Sequence, residues 1–290
     1  TGLLLTLVTV YYCAEVVWRE RSTGMGDIID ATPAHNLVFW ASKLCGVMSV
    51  FVLMYISFAL ATIGYQTVKG VEDLDLVQYL VRLGYFQLLP CLYVVILAFL
   101  LQVISPNKYV GMFLFVLYFI ATQTLTGFDF SHNMYHYSFA PAAPFSDLNR
   151  FGWTLTTQHW YMLYWGALAL VFFVLGYGLY QRGPAQPLAL RFKQLRYQLG
   201  AVGQSLVLCG ALVFVSSGGW IYYNTRVLNH YVTNDELMDM QADYEKAFKQ
   251  YENDPLLVAT DVKLQVEIYP QQGRMETIAT QIMVNKFDKP

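Results

Sequence analysis

Long apolar stretches, separated by short polar segments, occupy most of the chain before its C-terminal part. Six of these stretches approach or reach the roughly 20 residues that a helix needs to cross the hydrocarbon core of a membrane. They lie at 2–18, 37–64, 83–104, 109–128, 160–180 and 199–222. Tryptophans and tyrosines are concentrated near their ends, as in the interfacial belts of membrane proteins. The pattern predicts an all-α polytopic membrane bundle of about six transmembrane helices.

The C-terminal part of the chain follows a different pattern. Apolar residues recur at helical spacing between 237 and 251, which predicts an external amphipathic helix. Apolar and polar residues then alternate over 262–268, and a second extended run follows at 275–284, as expected for a β-hairpin. Since a lone hairpin is marginally stable in water, we interpret it as the beginning of a truncated β-domain. The predicted divisions are a membrane domain at 1–223, a linker helix at 224–255 and the start of the β-domain at 256–290.

Composition supports a membrane environment for much of the chain. Charged residues make up 13% of the sequence, against about 25% in soluble domains, and the mean hydropathy is +0.38. The net charge of −2 gives no indication of nucleic-acid binding. The four cysteines lie in apolar runs without a C-x-x-C pair, so we predict neither a disulfide framework nor a cysteine zinc site.

Basic residues assign the two sides of the predicted bundle. Arginine and lysine are concentrated in the connections that follow the first, third and fifth stretches, whereas the alternate connections are acidic or mixed. Short cytoplasmic loops of membrane proteins contain the excess of arginine and lysine. We therefore expect those three connections in the cytoplasm and the C-terminal tail outside it. The expected location is the cell membrane, which is the inner membrane in a Gram-negative host.

The most informative connection lies between the first two stretches and reads EVVWRERSTGMGDIIDATPAHNLVFWASK at 15–43. It predicts a short helix near 25–32 that ends at Pro33. Ile28 gives this helix an apolar side, and its two aspartates give it a polar one. Such a helix is suited to the groove of a cytoplasmic partner, or it lies flat on the membrane surface. The residues alone leave both interpretations open.

This connection resembles the coupling helix of type-2 ABC exporter permeases, in which charged residues precede a Thr-Gly step, a short helix, an Ala-Thr-Pro end and a lysine at the next span. The resemblance implies a transmembrane subunit that works with a separate cytoplasmic ABC ATPase, which binds the ATP. It also implies a second permease copy, in a dimer surrounded by membrane lipids. The residues that it implies for the ATPase contact are Glu20, Arg21, Gly24, Asp27, Ile28, Asp30, Ala31, Thr32 and Pro33.

The connection after the fourth stretch contains FDFSHNMYHY at 128–137 and PFSDLNRFG at 144–152, which resemble a narrower group of these permeases. In that group, an external zinc aminopeptidase of the aminopeptidase N type is fused to the C-terminus. The resemblance implies that this chain is a fragment of such a fusion. An apolar start at Thr1, without a basic region, fits that expectation. The loop residues singled out are His132, Asn133, Tyr135, Pro144, Asp147 and Asn149.

The catalytic motifs of the two partner activities do not occur in the sequence. It contains no G-x-x-x-x-G-K-[ST] phosphate loop, no H-E-x-x-H zinc motif and no G-x-M-E-N loop. We therefore expect no enzyme activity and no cofactor in this chain. The leading hypothesis is an exporter permease. The alternatives are a membrane anchor for an external peptidase, with little or no transport, and a sensor that signals across the membrane.

Two pairs of polar residues are candidates for chemistry. His132 and His136 are four apart, which on a helix would place both imidazoles on one face, as a metal requires. Pro141 and the many aromatic residues argue against one continuous helix, so we predict a packing role and no metal site. Glu15 and Arg19 are also four apart, at the end of the first stretch. Intramembrane charges are functional candidates, but here a structural salt bridge is favoured.

Overall fold

The computed structural model describes residues 2–70, 74–125, 130–146, 150–152, 154–183, 186–252, 254, 257–269 and 274–285. It divides the chain into two compact units, Thr1–Thr233 and Asn234–Pro290. The first unit is mostly helical, and the second contains a helix and a two-stranded antiparallel sheet. The prediction of a helical bundle followed by a β-hairpin is confirmed in this form.

Long helices form most of the first unit, with the longest connection between Leu125 and Thr154. Its elements are α1 (Gly2–Ser22), α2 (Gly26–Asp30), α3 (Asn36–Val68), α4 (Leu76–Leu80), a π-helical segment (Val81–Leu88), α5 (Leu89–Ile104), α6 (Lys108–Leu125), a 3-10 turn (Asn133–Tyr135), α7 (Thr154–Leu179), α8 (Leu188–Tyr222) and a π-helical turn (Tyr223–Val227).

Five helices within the described residues are long and apolar enough to cross a membrane. They are Asn36–Val68, Leu76–Ile104, Lys108–Leu125, Thr154–Leu179 and Leu188–Val227. By the length and composition of these helices, the chain is a multi-pass membrane protein. The helix α1 has 21 residues and is not among the five. The predicted end of the fourth span, at 128, lies outside the described residues.

The spanning helices Leu76–Ile104 and Leu188–Val227 depart from straight helices at identifiable residues. Pro90 has no N–H group, and its ring crowds the carbonyl four residues earlier. The wide π-helical turns of Val81–Leu88, just before Pro90, accommodate the missing hydrogen bond and the bulk of the ring. The helix α8 is interrupted at Gly200, whose φ of +59° lies in the left-handed region that favours glycine.

Two clusters of buried side chains form the core of the helical unit. In the first, Trp40 of α3 packs edge-on against Phe99 of α5, with ring centroids 5.5 Å apart. A Cβ atom on Gly176 of α7 would lie 2.5 Å from the Trp40 ring, so only glycine lets the indole pack at this position. The second cluster joins Tyr137, from the connection before α7, to Trp165 of α7.

The C-terminal unit consists of α9 (Asn234–Phe248), a 3-10 turn (Lys249–Tyr251) and the antiparallel strands β1 (Val258–Tyr269) and β2 (Arg274–Val284). Val258 pairs with Val284 at one end of the hairpin, and Tyr269 pairs with Arg274 at the other. Alternate residues of β1 share one face, and this face is apolar at 262, 264, 266 and 268. All four of these side chains are exposed.

Candidate coupling site

The residues predicted to contact an ATPase lie at one end of the helical bundle. The chain leaves α1 at Ser22, forms α2 and enters α3 at Asn36. The connections between α5 and α6 and between α7 and α8 reach the same end, where Lys108 contacts Glu15 and Arg182 contacts Asp30. We call this end the α2 end, and the opposite end, with residues 130–146, the loop end.

A tight turn sets the direction of α2. Gly24 has a φ of +73°, in the left-handed region, and the N–H of Met25 donates to the Glu20 carbonyl at 2.9 Å. The single helical turn that follows lies within the predicted 25–32. After the helix ends at Asp30, the Thr32 hydroxyl donates to the Ile29 carbonyl at 2.7 Å, just before Pro33. These local bonds explain why so short a helix forms here.

The helix α2 has an exposed side and a side that faces the protein. Ile28 is 63% exposed and Met25 is 46% exposed, and the Asp27 side chain is exposed beside them. By contrast, Ile29 and Asp30 are partly buried. Ala31, Thr32 and Pro33, which follow, are exposed. Of the predicted contact residues in this segment, Asp27, Ile28, Ala31, Thr32 and Pro33 therefore form a small surface that the bundle does not cover, whereas Asp30 is partly buried.

Arg182, in the connection between α7 and α8, contacts the backbone that follows α2. Its Nη2 donates to the carbonyls of Asp30 at 2.7 Å and Thr32 at 2.6 Å. Its Nη1 donates to the Ala34 carbonyl at 2.6 Å and to Oδ1 of Asn36 at 3.1 Å. The planar guanidinium offers five N–H donors in a fixed fork, which suits this set of acceptors. One side chain thus holds Asp30, Thr32, Ala34 and Asn36, from the end of α2 to the start of α3.

The Asp30 carboxylate connects α2 to the same region. Its Oδ2 accepts the Gly183 N–H at 2.8 Å, and its Oδ1 lies 3.8 Å from Nε of Arg182. The two ionic side chains are only 15% and 17% exposed, so their interaction is less screened than a surface pair. The Phe39 ring lies 4.6 Å from the guanidinium carbon and covers its other side. Asp30 therefore faces the bundle, whereas Asp27 faces away from it.

Glu20 and Arg21, also predicted for the contact, join α1 to its neighbours. Lys43 of α3 is 7% exposed and forms an ion pair with Glu20 at 2.7 Å. Arg21 donates from Nη2 to the Gln181 carbonyl at 3.1 Å. Through these bonds α1, α3 and the α7–α8 connection form one packed unit around α2.

The salt bridge predicted for Glu15 has a different partner. Its carboxylate lies 2.9 Å from the Lys108 ammonium of α6, while Arg19 is exposed. The prediction of a Glu15–Arg19 pair is wrong because α6 begins beside α1 and brings a closer cation to the carboxylate. The pair joins two helices instead of stabilising one.

The histidines predicted as packing residues lie at the loop end. His132 and His136 flank the 3-10 turn and are each 4% exposed, but they do not share a helix face. Nδ1 of His132 accepts the Met134 N–H at 3.2 Å, and Nε2 of His136 lies 2.7 Å from the Phe130 carbonyl. The described residues contain no group of three or more metal-ligating side chains. Burial, and then the charge of Arg226, lowers the pKa of His132.

The other predicted loop residues are less enclosed. Asn133 begins the 3-10 turn, Tyr135 is 51% exposed and Pro144 is exposed. Asp147 and Asn149 lie outside the described residues.

Hydrogen bonds to backbone carbonyls attach the loop to the bundle. The Tyr137 hydroxyl donates to the Tyr93 carbonyl at 2.9 Å, and the Ser138 hydroxyl donates to the Pro90 carbonyl at 2.8 Å. Nε1 of Trp165 donates to the loop at Phe139. The aromatic residues of this segment, Tyr137 among them, are visible in the sequence, but the hydrogen bonds that Tyr137 and Ser138 make to the bundle are not.

Arg182 is the main residue that sequence reasoning missed. In the sequence it is only one of several basic residues in its connection, which assign that connection to the cytoplasmic side. Its position between two apolar stretches, followed by Gly183, was the available signal, but the sequence does not show that this connection lies beside α2.

Comparison with protein-family models, curated proteins and solved structures finds no match for this chain. A functional proposal therefore rests on its residues and their geometry.

Proposed function

We propose that this chain is the transmembrane subunit of an ATP-driven exporter, a type-2 ABC permease. The observation that carries the proposal is the fixation of α2 by Arg182 and Asp30 while Met25 and Ile28 stay exposed. A short helix that is attached firmly on one side and open on the other is suited to transmit movement from a partner to the helices behind it. The resemblance of 15–43 to a coupling helix points the same way.

The proposed topology has six spans, with α1 as the first. Arg19, Arg21, Lys108 and Arg182 lie at the α2 end or in its connections, so the excess of basic residues favours a cytoplasmic location for this end. The loop end and the C-terminal unit are then outside. The membrane is proposed to be the inner one in a Gram-negative cell.

The proposed mechanism passes through the contacts at the α2 end. A separate cytoplasmic ATPase, which binds the ATP, closes and pushes on the exposed side of α2. Arg182 passes this displacement to α7 and α8, and the Glu20–Lys43 pair passes it to α1 and α3. ATP acts because the ATPase contacts the inward and outward states differently. Two copies of the chain form the transport pathway.

A membrane anchor for an external zinc aminopeptidase is the second candidate. It is favoured by the hairpin, whose exposed apolar face at 262, 264, 266 and 268 fits the opening strands of a larger β-domain. An anchor, however, has no need of a helix fixed by Arg182 beneath the bundle. The exporter proposal therefore comes first.

Site-specific crosslinking tests the exporter proposal. Ile28→Cys, in a background without the four native cysteines, places a thiol on the exposed side of α2. Val68→Cys, at the opposite end of α3 and 85% exposed, is the matched control. We expect Ile28→Cys to crosslink to an ATP-binding subunit, with a yield that ATP changes, and Val68→Cys not to do so. If the folded, membrane-inserted Ile28→Cys variant traps no ATPase, the exporter proposal fails and the anchor takes its place.

A further inference from the structure

A cavity of about 410 Å³ lies within the helical unit and extends to the loop end. Side chains from α1, α3, α5, α6, the π-helical segment and the loop line it. We call it the tyrosine cavity, after Tyr55, Tyr118 and Tyr137 in its wall. Its volume falls within the roughly 300–1,000 Å³ of pockets that bind small molecules. It is far larger than the roughly 30 Å³ occupied by one water molecule.

The wall of the tyrosine cavity excludes a charged ligand. Its described lining is mostly aromatic and aliphatic and contains no aspartate, glutamate, lysine, arginine or histidine. An ion that entered it would lose its hydration without gaining a counter-ion, which is strongly unfavourable. An uncharged molecule with a large apolar part meets no such penalty.

Two hydroxyl groups in this wall have no hydrogen-bond partner among the described residues. They belong to Tyr55, which is only 8% exposed, and to Tyr118. The neighbouring hydroxyls are satisfied, since that of Tyr137 donates to the Tyr93 carbonyl. A hydroxyl in a mostly apolar wall is stabilised by a hydrogen bond, so Tyr55 and Tyr118 can each bond to a molecule in the cavity.

The lining of the tyrosine cavity includes both exposed and buried residues. Gln87, Gln123 and Phe139 line it and are exposed, whereas Thr9 and Phe115 line it and are buried. The exposed residues border the opening of the cavity, and its buried part includes the Tyr55 side chain.

We propose that the tyrosine cavity binds an uncharged amphiphile, whose hydroxyl or carbonyl head bonds to Tyr55 and Tyr118 while its apolar chain packs against the aromatic wall. The proposal does not rest on the exporter function, because the cavity lies within one copy of the chain and is lined by none of the α2 residues.

Photocrosslinking identifies the ligand class. The whole chain is reconstituted in nanodiscs with a monoacylglycerol that has a diazirine in its acyl chain, and labelled residues are mapped by mass spectrometry. We expect labels on the cavity wall that monooleoylglycerol displaces at concentrations at least tenfold lower than oleoyl lysophosphatidate, its charged counterpart. Labels spread over the lipid-facing surface, or equal displacement by both competitors, would overturn the proposal.

Conservative substitutions test the hydroxyl contacts. Tyr55→Phe and Tyr118→Phe each remove one hydroxyl, and we expect each to weaken monooleoylglycerol binding roughly threefold to tenfold. Tyr65→Phe, on the same helix as Tyr55 but 64% exposed and outside the cavity wall, should leave binding unchanged. Unaltered affinity in the Tyr55→Phe, Tyr118→Phe double variant would refute the assigned contacts.

Narrowing the cavity gives a second test that does not depend on hydrogen bonds. Cys91 lines the cavity, so the larger side chain in Cys91→Phe should reduce displaceable labelling. Cys209→Phe, at an exposed cysteine outside the wall, is the matched control and should retain it. Thermal melting of each variant shows whether the bundle remains folded. Full displaceable labelling in a folded Cys91→Phe variant contradicts the proposal.

Discussion

Nη2 of Arg182 lies 2.7 Å from the carbonyl oxygen of Asp30, although 152 positions separate the two residues in the sequence. This bond joins the short helix α2 to the connection between α7 and α8. Because α2 is a single helical turn, this attachment determines its position and orientation at the α2 end.

Replacing Arg182 tests whether its fork of donors fixes the segment after α2. Arg182→Lys keeps the charge, but a single ammonium cannot reach four acceptors at 2.6–3.1 Å. We expect faster amide hydrogen exchange over residues 30–36, with a local loss of about 1–3 kcal/mol. Arg196→Lys, an exposed change in α8, should leave exchange over the same residues unaltered. Equal exchange in both variants would mean that Arg182 does not stabilise the segment.

The two aspartates of α2 should differ sharply in their effect on stability. Asp30→Ala removes the acceptor of the Gly183 N–H and leaves the mostly buried Arg182 without its carboxylate, at a cost of about 1–3 kcal/mol. Asp27→Ala changes an exposed side chain and should remain within about 0.5 kcal/mol of the original protein. Thermal melting in detergent measures both variants. Similar melting temperatures would contradict the different roles of the two carboxylates.

Two glycines in membrane helices should respond in opposite ways to an added methyl group. In Gly176→Ala, the new Cβ would lie 2.5 Å from the ring of Trp40, which is 1% exposed and cannot move aside. We expect a destabilisation of about 1–3 kcal/mol. Gly64→Ala introduces a methyl group with no atom within 4 Å, and the higher helix propensity of alanine should make it neutral or stabilising. A stable Gly176→Ala variant would show that the Trp40 contact is not tight.

The membrane helices were predictable because lipid requires their backbone groups to bond within the helix, and this leaves a long apolar run in the sequence. The short helix α2 was also predictable, since Gly24 and Pro33 delimit it locally. The hydrogen-bond and ion-pair partners of the polar side chains were not predictable from the sequence. Glu15 has a nearby arginine in the sequence, yet it pairs with Lys108, 93 positions away. The fork of Arg182 and the unpaired hydroxyls of Tyr55 and Tyr118 likewise depend on how distant helices pack.

The packing of the loop end should weaken in acid because of His132. Burial, and then the charge of Arg226, lowers the pKa of this imidazole in the folded protein, so the unfolded chain binds a proton more readily. The contribution of a neutral His132 to stability is thus complete above the ordinary histidine pKa of about 6.5 and declines as the pH falls below it. We expect the melting temperature to drop between about pH 7.5 and about pH 5.

His132→Gln removes the titrating group and should reduce this pH dependence, while His35→Gln, at an exposed histidine of the α2 end, should preserve it. Melting followed by tryptophan fluorescence includes a signal from this region, because Trp165, one of the six tryptophans, donates a hydrogen bond to the loop at Phe139. If the His132→Gln variant loses as much stability in acid as the original protein, another group causes the effect, and the loop end is not sensitive to pH through His132.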